Sequence, residues 1–121
     1  MMKRRRIFML LPLITMAINV TAQTGTRQAS GIVTLLRVHD VGTKYGPPND
    51  EIDVEVFIWL ASEPGKAFGF QLRNDGNGPT RQAMFDLLRD AFNSKQIVTI
   101  DYSGISPGRK NFIIRRVWVS R

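Results

Sequence analysis

The feature that most constrains the fold is an alternating segment, EIDVEVFIWL, at residues 51–60. Side chains on a β-strand point to opposite faces with a period of two residues, so this alternation predicts a strand with one buried face. We expect strand two to span residues 52–60 and to place one apolar stripe in the core: Ile52, Val54, Val56, Ile58 and Leu60. The opposite stripe begins with two carboxylates and ends with two large aromatic rings: Asp53, Glu55, Phe57 and Trp59.

Four further strands and one helix are predicted from local patterns. The strand segments are rich in β-branched and aromatic residues, and a Pro-Gly turn joins strand two to strand three as a hairpin. The helical segment starts with a proline, and its apolar residues recur at three- and four-residue steps. The strands are expected at residues 31–39, 67–73, 96–102 and 111–120, and the helix is expected at residues 79–93.

The last strand has a less regular pattern than the others. Its Ile113-Ile114 and Arg115-Arg116 doublets interrupt the alternation, which predicts a β-bulge at this point. Two registers are therefore open for Trp118. In one register it shares a face with Phe112, Ile114 and Arg116, and in the other it leaves the core to Ile113, Val117 and Val119.

The element order is three strands, one helix and two strands. A single helix between strands three and four of a five-stranded barrel matches the OB-fold, a partly open Greek-key barrel. We therefore expect a mainly β protein with one helix, in the order β-β-β-α-β-β, whose helix closes one end of the barrel. The alternative is another α+β sheet with the helix laid across one face.

The first 22 residues have the pattern of a secretory signal peptide. A basic stretch at residues 3–6 precedes an apolar stretch at residues 7–18, and Val20-Thr21-Ala22 supplies small residues before the expected cleavage site. The apolar stretch is shorter than the about 20 residues that a membrane-spanning helix needs. We expect a periplasmic or secreted protein, with a disordered segment at residues 23–30 and the OB-fold domain at residues 31–121.

Charge and cysteine content narrow the possible partners. The chain carries 17 Lys and Arg residues against 10 Asp and Glu residues, but four of the basic residues lie in the predicted signal peptide. The remaining net charge of +3 does not favour nucleic acid or an anionic membrane as a partner. The chain has no cysteine, so its hydrophobic core must hold the domain without disulfides.

No catalytic or metal-binding motif is present in the sequence. The single histidine, His39, precedes Asp40, and adjacent strand residues point to opposite faces, so the two are a poor base–orienter pair. Asp53 and Glu55 share a face, which would suit glycosidic chemistry within a pocket, but we favour a solvated strand face. Residues 74–78, NDGNG, lack the downstream acidic ligand of a calcium loop and predict a turn and helix cap. We expect no catalytic residue, no metal and no cofactor.

The candidate ligand-binding or interface residues centre on the second stripe of strand two. In OB-folds, strands two and three and the loops after strands one and four bind oligosaccharides and oligonucleotides. Arg109 and Lys110, in the last of these loops, could add charge. The same aromatic rings could instead form a subunit interface or pack within the chain, for example beneath the helix. The candidates are Trp59, Phe57, Gln71, Arg73 and Tyr45.

One stretch carries a resemblance to known proteins. MFDLLRDAFNSKQIVTIDY, at residues 84–102, combines a Leu/Ala/Phe helix pattern, an Asn-Ser-Lys turn and an alternating strand. Together with the element order behind a signal peptide, it is similar to the small secreted OB-fold B subunits of bacterial A–B toxins of the subtilase and pertussis-like kind. The resemblance implies a ring-forming, glycan-binding subunit. Those subunits usually carry a disulfide, which this chain lacks, and no sugar-contacting residue can be transferred.

These observations predict an exported, non-enzymatic binding module that forms a homo-oligomer and binds a glycan or another protein. One alternative is a structural or interaction subunit that binds no small ligand. Another is a periplasmic OB-fold protein that binds single-stranded nucleic acid or another oligomeric ligand, for which aromatic stacking on the barrel would supply the contacts.

Overall fold

The computed structural model describes residues 25–121, which form a closed five-stranded barrel with one helix. The strands are β1 (Arg27–Val38), β2 (Val56–Leu60), β3 (Ala67–Phe70), β4 (Ile97–Ser103) and β5 (Asn111–Trp118), and the helix is α1 (Gly78–Ser94). The order around the barrel is β1-β2-β3-β5-β4, and every pairing is antiparallel except β3 with β5. The predicted mainly β architecture, with an OB-fold-like barrel and the β-β-β-α-β-β order, is confirmed.

The amino-terminal part of the chain differs from the prediction in one respect. Strand β1 begins at Arg27, four residues earlier than expected, so residues 27–30 pair with β4 and are not a disordered segment. Ala29 is buried in the core, whereas Gln28 and Ser30 face outward, where the Ser30 and Thr99 hydroxyl oxygens lie 2.8 Å apart. The predicted signal peptide at residues 1–22 lies outside the described residues. No helix within residues 25–121 is long and apolar enough to cross a membrane.

The barrel interior forms the main core, and α1 closes one end of it. Leu88 and Ala91 are the buried residues of the helix, and both pack into the barrel cluster. Three rings from different strands, Phe68, Tyr102 and Phe112, meet with centroid separations of 4.9–5.6 Å. Aromatic pairs at this spacing stabilise a core beyond the apolar area they bury.

The predicted bulge in β5 is confirmed. Asp101 pairs with Arg116 and Tyr102 pairs with Ile114, so Arg115 is the extra residue on β5. The bulge shifts the alternation of inward and outward side chains by one residue. Ile114 before the bulge and Val117 after it are three residues apart, and both pack against the barrel core. Trp118 pairs with Thr99 and therefore lies on the outside of the barrel.

Strand β2 is shorter than predicted, and its apolar stripe is divided between two cores. Val56, Ile58 and Leu60 point into the barrel, as expected. Ile52 and Val54 instead belong to a second cluster on the outer side of the barrel wall. The division occurs at Glu55, where the chain joins the ladder and the period-two alternation is interrupted.

Gly69 leaves room for this second cluster. It pairs with Phe57, and a Cβ atom at position 69 would lie 2.7 Å from both the Val54 Cγ2 atom and the Val56 carbonyl oxygen. We expect Gly69→Ala to lower the free energy of unfolding by about 1–3 kcal/mol, as overpacking typically does, measured by urea denaturation. The matched control is Gly76→Ala, whose added Cβ meets nothing within 4 Å. Equal stability of the two variants would contradict this packing.

Candidate functional site

The loop between β1 and β2, residues 39–55, folds back over the outside of the barrel wall. A short 3-10 turn, Pro48–Asp50, lies near its tip. Tyr45 and Ile52 form an antiparallel bridge across the loop, with N···O distances of 3.0 and 2.8 Å. At its base, His39 Nε2 lies 2.7 Å from the Val54 carbonyl oxygen. The β1–β2 loop is therefore an ordered cover and not an open connection.

Phe57 is fully buried beneath this cover. Its ring centroid lies 4.1 Å from that of Tyr45, and the Arg37 guanidinium lies 5.1 Å from the Phe57 centroid. Of the three alternatives for Phe57, the ligand face and the subunit interface are therefore wrong. Intramolecular packing accounts for this ring, and the covering element is the β1–β2 loop and not the helix.

Asp50 anchors the β1–β2 loop to the start of β5. Its buried carboxylate accepts hydrogen bonds from the backbone N–H groups of Lys110 (2.8 Å) and Asn111 (3.4 Å), and Arg109 Nε lies 2.8 Å from Oδ1. The Asn111 side-chain amide donates to the Asp50 carbonyl at 2.9 Å. Arg109, considered from the sequence as a source of ligand-binding charge, is thus paired with a carboxylate of its own chain.

Arg73 and Gln71 hold the chain where it enters β2. Arg73 donates from Nε and Nη2 to the two carboxylate oxygens of the buried Glu55 at 2.9 and 2.8 Å, and from Nη2 to Asp53 at 2.9 Å. The Leu72 N–H also donates to Glu55, and Gln71 Nε2 donates to the Asp53 carbonyl. The hydrogen bonds that Arg73 donates to Glu55 and the negative charges of both acids raise the pKa of Arg73, although burial opposes the shift.

This network corrects the expectation of a solvated acidic face for Glu55, whereas the Asp53 side chain is half exposed. Glu55 is buried and is paired with the Arg73 guanidinium in a bidentate geometry, and the same guanidinium makes a single contact to Asp53. Neither Arg73 nor Gln71 lines the groove that contains Trp59. The structure therefore separates these two candidates from the aromatic candidates.

Trp59 lies on the wall of an open groove with a volume of about 370 Å³, which we call the Trp59 groove. The residue is 41% exposed. Tyr45 reaches the same groove from the β1–β2 loop, so two of the five predicted site residues are brought together. The polar side chains of the groove are Thr34, Glu63, Lys66 and Asn111.

Sequence reasoning did not assign these four polar residues to the site. Glu63 and Lys66 flank the Pro64-Gly65 turn that follows Trp59, and Lys66 Nζ lies 2.9 Å from Glu63 Oε1. Their position in the turn that directly follows Trp59 is the one sequence feature that could have assigned them to the site. Thr34 and Asn111 come from β1 and from the start of β5, and no local pattern links them to Trp59.

The loop NDGNG forms the predicted turn before α1. The Asp75 carboxylate accepts a hydrogen bond from the Asn77 N–H at 2.9 Å, and Asn77 is the residue that precedes the helix. The predicted helix cap is wrong, because the Asn77 side chain makes no hydrogen bond to the first turn of α1. Within residues 25–121, no group of three or more His, Asp or Glu side chains is arranged to hold a metal ion.

The groove and its supporting loops can hold an uncharged or weakly charged ligand between an indole ring and a few polar groups.

Comparison of the chain with models of known protein families and with curated protein sequences finds no match.

Proposed function

We propose that this protein is an exported, non-enzymatic OB-fold binding module that takes a carbohydrate in the Trp59 groove. The observation that carries the proposal is the half-exposed Trp59 ring on the wall of a groove of about 370 Å³. The groove lies on β2 beside the β1–β2 loop, and OB-folds bind oligosaccharides with this strand and this loop.

The groove offers the two kinds of contact that a sugar ring requires. The indole face of Trp59 suits the apolar face of a pyranose, and Tyr45 adds a second ring with a hydroxyl group. Thr34, Glu63, Lys66 and Asn111 supply donors and acceptors for sugar hydroxyl groups. A mostly apolar, concave surface with a few polar groups that fix orientation is typical of small-molecule sites.

Two sequence features support export and assembly. The signal-peptide pattern at residues 1–22 directs the chain out of the cytoplasm. The resemblance of residues 84–102 to the B subunits of A–B toxins favours a glycan-binding subunit of a homo-oligomer. Both features agree with a protein that meets its ligand outside the cell or in the periplasm.

Trp59→Ala tests the proposal on a glycan array. We expect the wild-type chain to bind a defined set of glycans, and Trp59→Ala to weaken that binding at least tenfold, about 1.4 kcal/mol. The matched control is Trp118→Ala, which removes the other tryptophan from the outside of β5. Glycan binding that is unchanged in Trp59→Ala, or lost equally in both variants, would contradict the assignment of the groove.

A second candidate function is a subunit of a homo-oligomer that binds no small ligand. One observation favours it: Ile32 and Ile97 are cross-strand partners on the outside of the barrel, and they are 37% and 58% exposed. Exposed apolar pairs of this kind occur at subunit interfaces. Sedimentation equilibrium tests this candidate, because Ile97→Ser would convert an oligomer to a monomer if the pair lies in the interface, whereas Trp59→Ala would do so only if Trp59 lies there.

A further inference from the structure

A second cleft opens where β3 and β5 stop pairing. Their parallel ladder runs from Ala67 opposite Asn111 to Gly69 opposite Ile113, and beyond this point the two strands separate. The opening has a volume of about 210 Å³, and Arg81 reaches it from the first turn of α1. The residues that line the cleft are Phe70, Gln71, Arg81, Ile113, Ile114 and Arg115.

The two arginines of this cleft have only neutral partners. Arg81 Nη1 donates to the Gln71 carbonyl oxygen at 2.9 Å, and Arg115 Nε donates to the Ser103 hydroxyl oxygen at 2.8 Å. In the part of the chain that the structure describes, neither guanidinium has a carboxylate within 4.0 Å. By contrast, Arg73 and Arg109 are each paired with a buried carboxylate.

The position of Arg81 adds to the positive potential. Arg81 lies in the first turn of α1, where the helix dipole is positive and favours negative charge. A cation at this end is unfavourable unless an anion is nearby. Ile113 and Ile114 supply apolar walls, and Arg81 and Arg115 are the charged residues among those that line the cleft.

We propose that this cleft, the Arg81–Arg115 cleft, binds a tetrahedral oxyanion, namely a phosphate or sulfate group. Guanidinium groups present several N–H donors in a planar fork that matches such oxyanions, and each arginine here uses part of its donor set on a neutral oxygen. The group can be a free ion or an ester on a larger molecule. The cleft lies apart from the Trp59 groove and shares no lining residue with it, so this inference does not depend on the proposed carbohydrate site.

Titration of the full chain with sodium phosphate, followed by ¹⁵N NMR at constant ionic strength, tests this inference. We expect saturable shifts of the backbone amides of Gln71, Arg81 and Arg115. Arg115→Met should weaken the apparent affinity for phosphate at least tenfold. This variant should fold, because the Arg115 side chain is exposed and donates a hydrogen bond only to the Ser103 hydroxyl. The control is Arg116→Met, which removes the same charge from the adjacent residue of β5, where Arg116 pairs with Asp101.

Two results would overturn the inference. One is the absence of saturable shifts with both phosphate and sulfate, and the other is an equal loss of affinity in Arg115→Met and Arg116→Met. Arg81→Lys provides a second test, because lysine keeps the charge but lacks the fork, and it should weaken binding several-fold. Tighter binding of glucose 6-phosphate than of inorganic phosphate would identify an esterified ligand, and equal binding would identify the free ion.

Discussion

Phe57→Ala is expected to lower the free energy of unfolding by about 3–5 kcal/mol, the usual cost of removing a buried phenylalanine ring. The ring is fully buried between the barrel wall and the β1–β2 loop, where it contacts Tyr45 and packs with Ile52 and Val54. Its removal would leave a cavity in the apolar cluster through which the β1–β2 loop packs on the barrel wall. Urea denaturation followed by circular dichroism measures the effect.

Trp59→Ala is the natural control for this substitution. It removes another large ring from the same strand, two residues further on, but from a position that is 41% exposed. We therefore expect it to cost much less stability than Phe57→Ala. A loss of less than about 1 kcal/mol in Phe57→Ala would show that the β1–β2 loop does not cover the ring as described, because surface substitutions typically have effects of that size.

Asp50→Ala is expected to be the other most damaging change, with a loss of about 2–4 kcal/mol, because each buried donor left without an acceptor costs about 1–3 kcal/mol. The substitution would leave Arg109 without its carboxylate, and the backbone N–H groups of Lys110 and Asn111 would lose their acceptor. Because Asp50 also fixes the loop that carries Tyr45, ligand affinity at the Trp59 groove should fall in the same variant.

The control for Asp50→Ala is Asp90→Ala on the exposed face of α1. The Asp90 side chain is 76% exposed, and its nearest cation, Arg89, lies 3.5 Å away. Exposed ion pairs of this kind contribute about 0–1 kcal/mol. If the two aspartate variants unfolded at the same urea concentration, Asp50 would not be the anchor of the β1–β2 loop.

The barrel could be predicted from the sequence because its signals are local. The alternation of β2, the Pro-Gly turn and the three- and four-residue spacing of α1 each depend on residues close together in the chain. The bulge at Arg115 was predictable for the same reason, since a doublet in an alternating strand marks an extra residue. The OB-fold assignment then followed from the number of strands and the position of the helix.

The different environments of Phe57 and Trp59 could not be predicted in this way. Both rings lie on the same face of one strand, and the sequence pattern treats them alike. They differ because residues 39–55 fold over Phe57 and leave Trp59 open. Two glycines and two adjacent prolines in that segment predict an irregular loop, but they do not indicate which surface the loop covers.

The ion pairs of the buried Glu55 and Asp50 carboxylates could not be predicted from the sequence for a related reason. Glu55 and Arg73 are 18 residues apart, and Asp50 lies about 60 residues before its partners at the start of β5. A charged residue in a single sequence is most simply interpreted as solvated, because charged side chains are almost never fully buried unless they are paired. Such pairing depends on tertiary contacts, which local patterns do not report.

Trp59, and not Phe57 or Trp118, is expected to contact the ligand. The chain has two tryptophans, so its ¹⁵N NMR spectrum contains two indole N–H signals, and the Trp59→Ala spectrum assigns them. We expect titration with a glycan found on the array to shift the Trp59 indole signal in a saturable manner and to leave the Trp118 signal unchanged. A saturable shift of the Trp118 signal alone, or binding that moves neither signal, would contradict the assignment of the Trp59 groove as the ligand site.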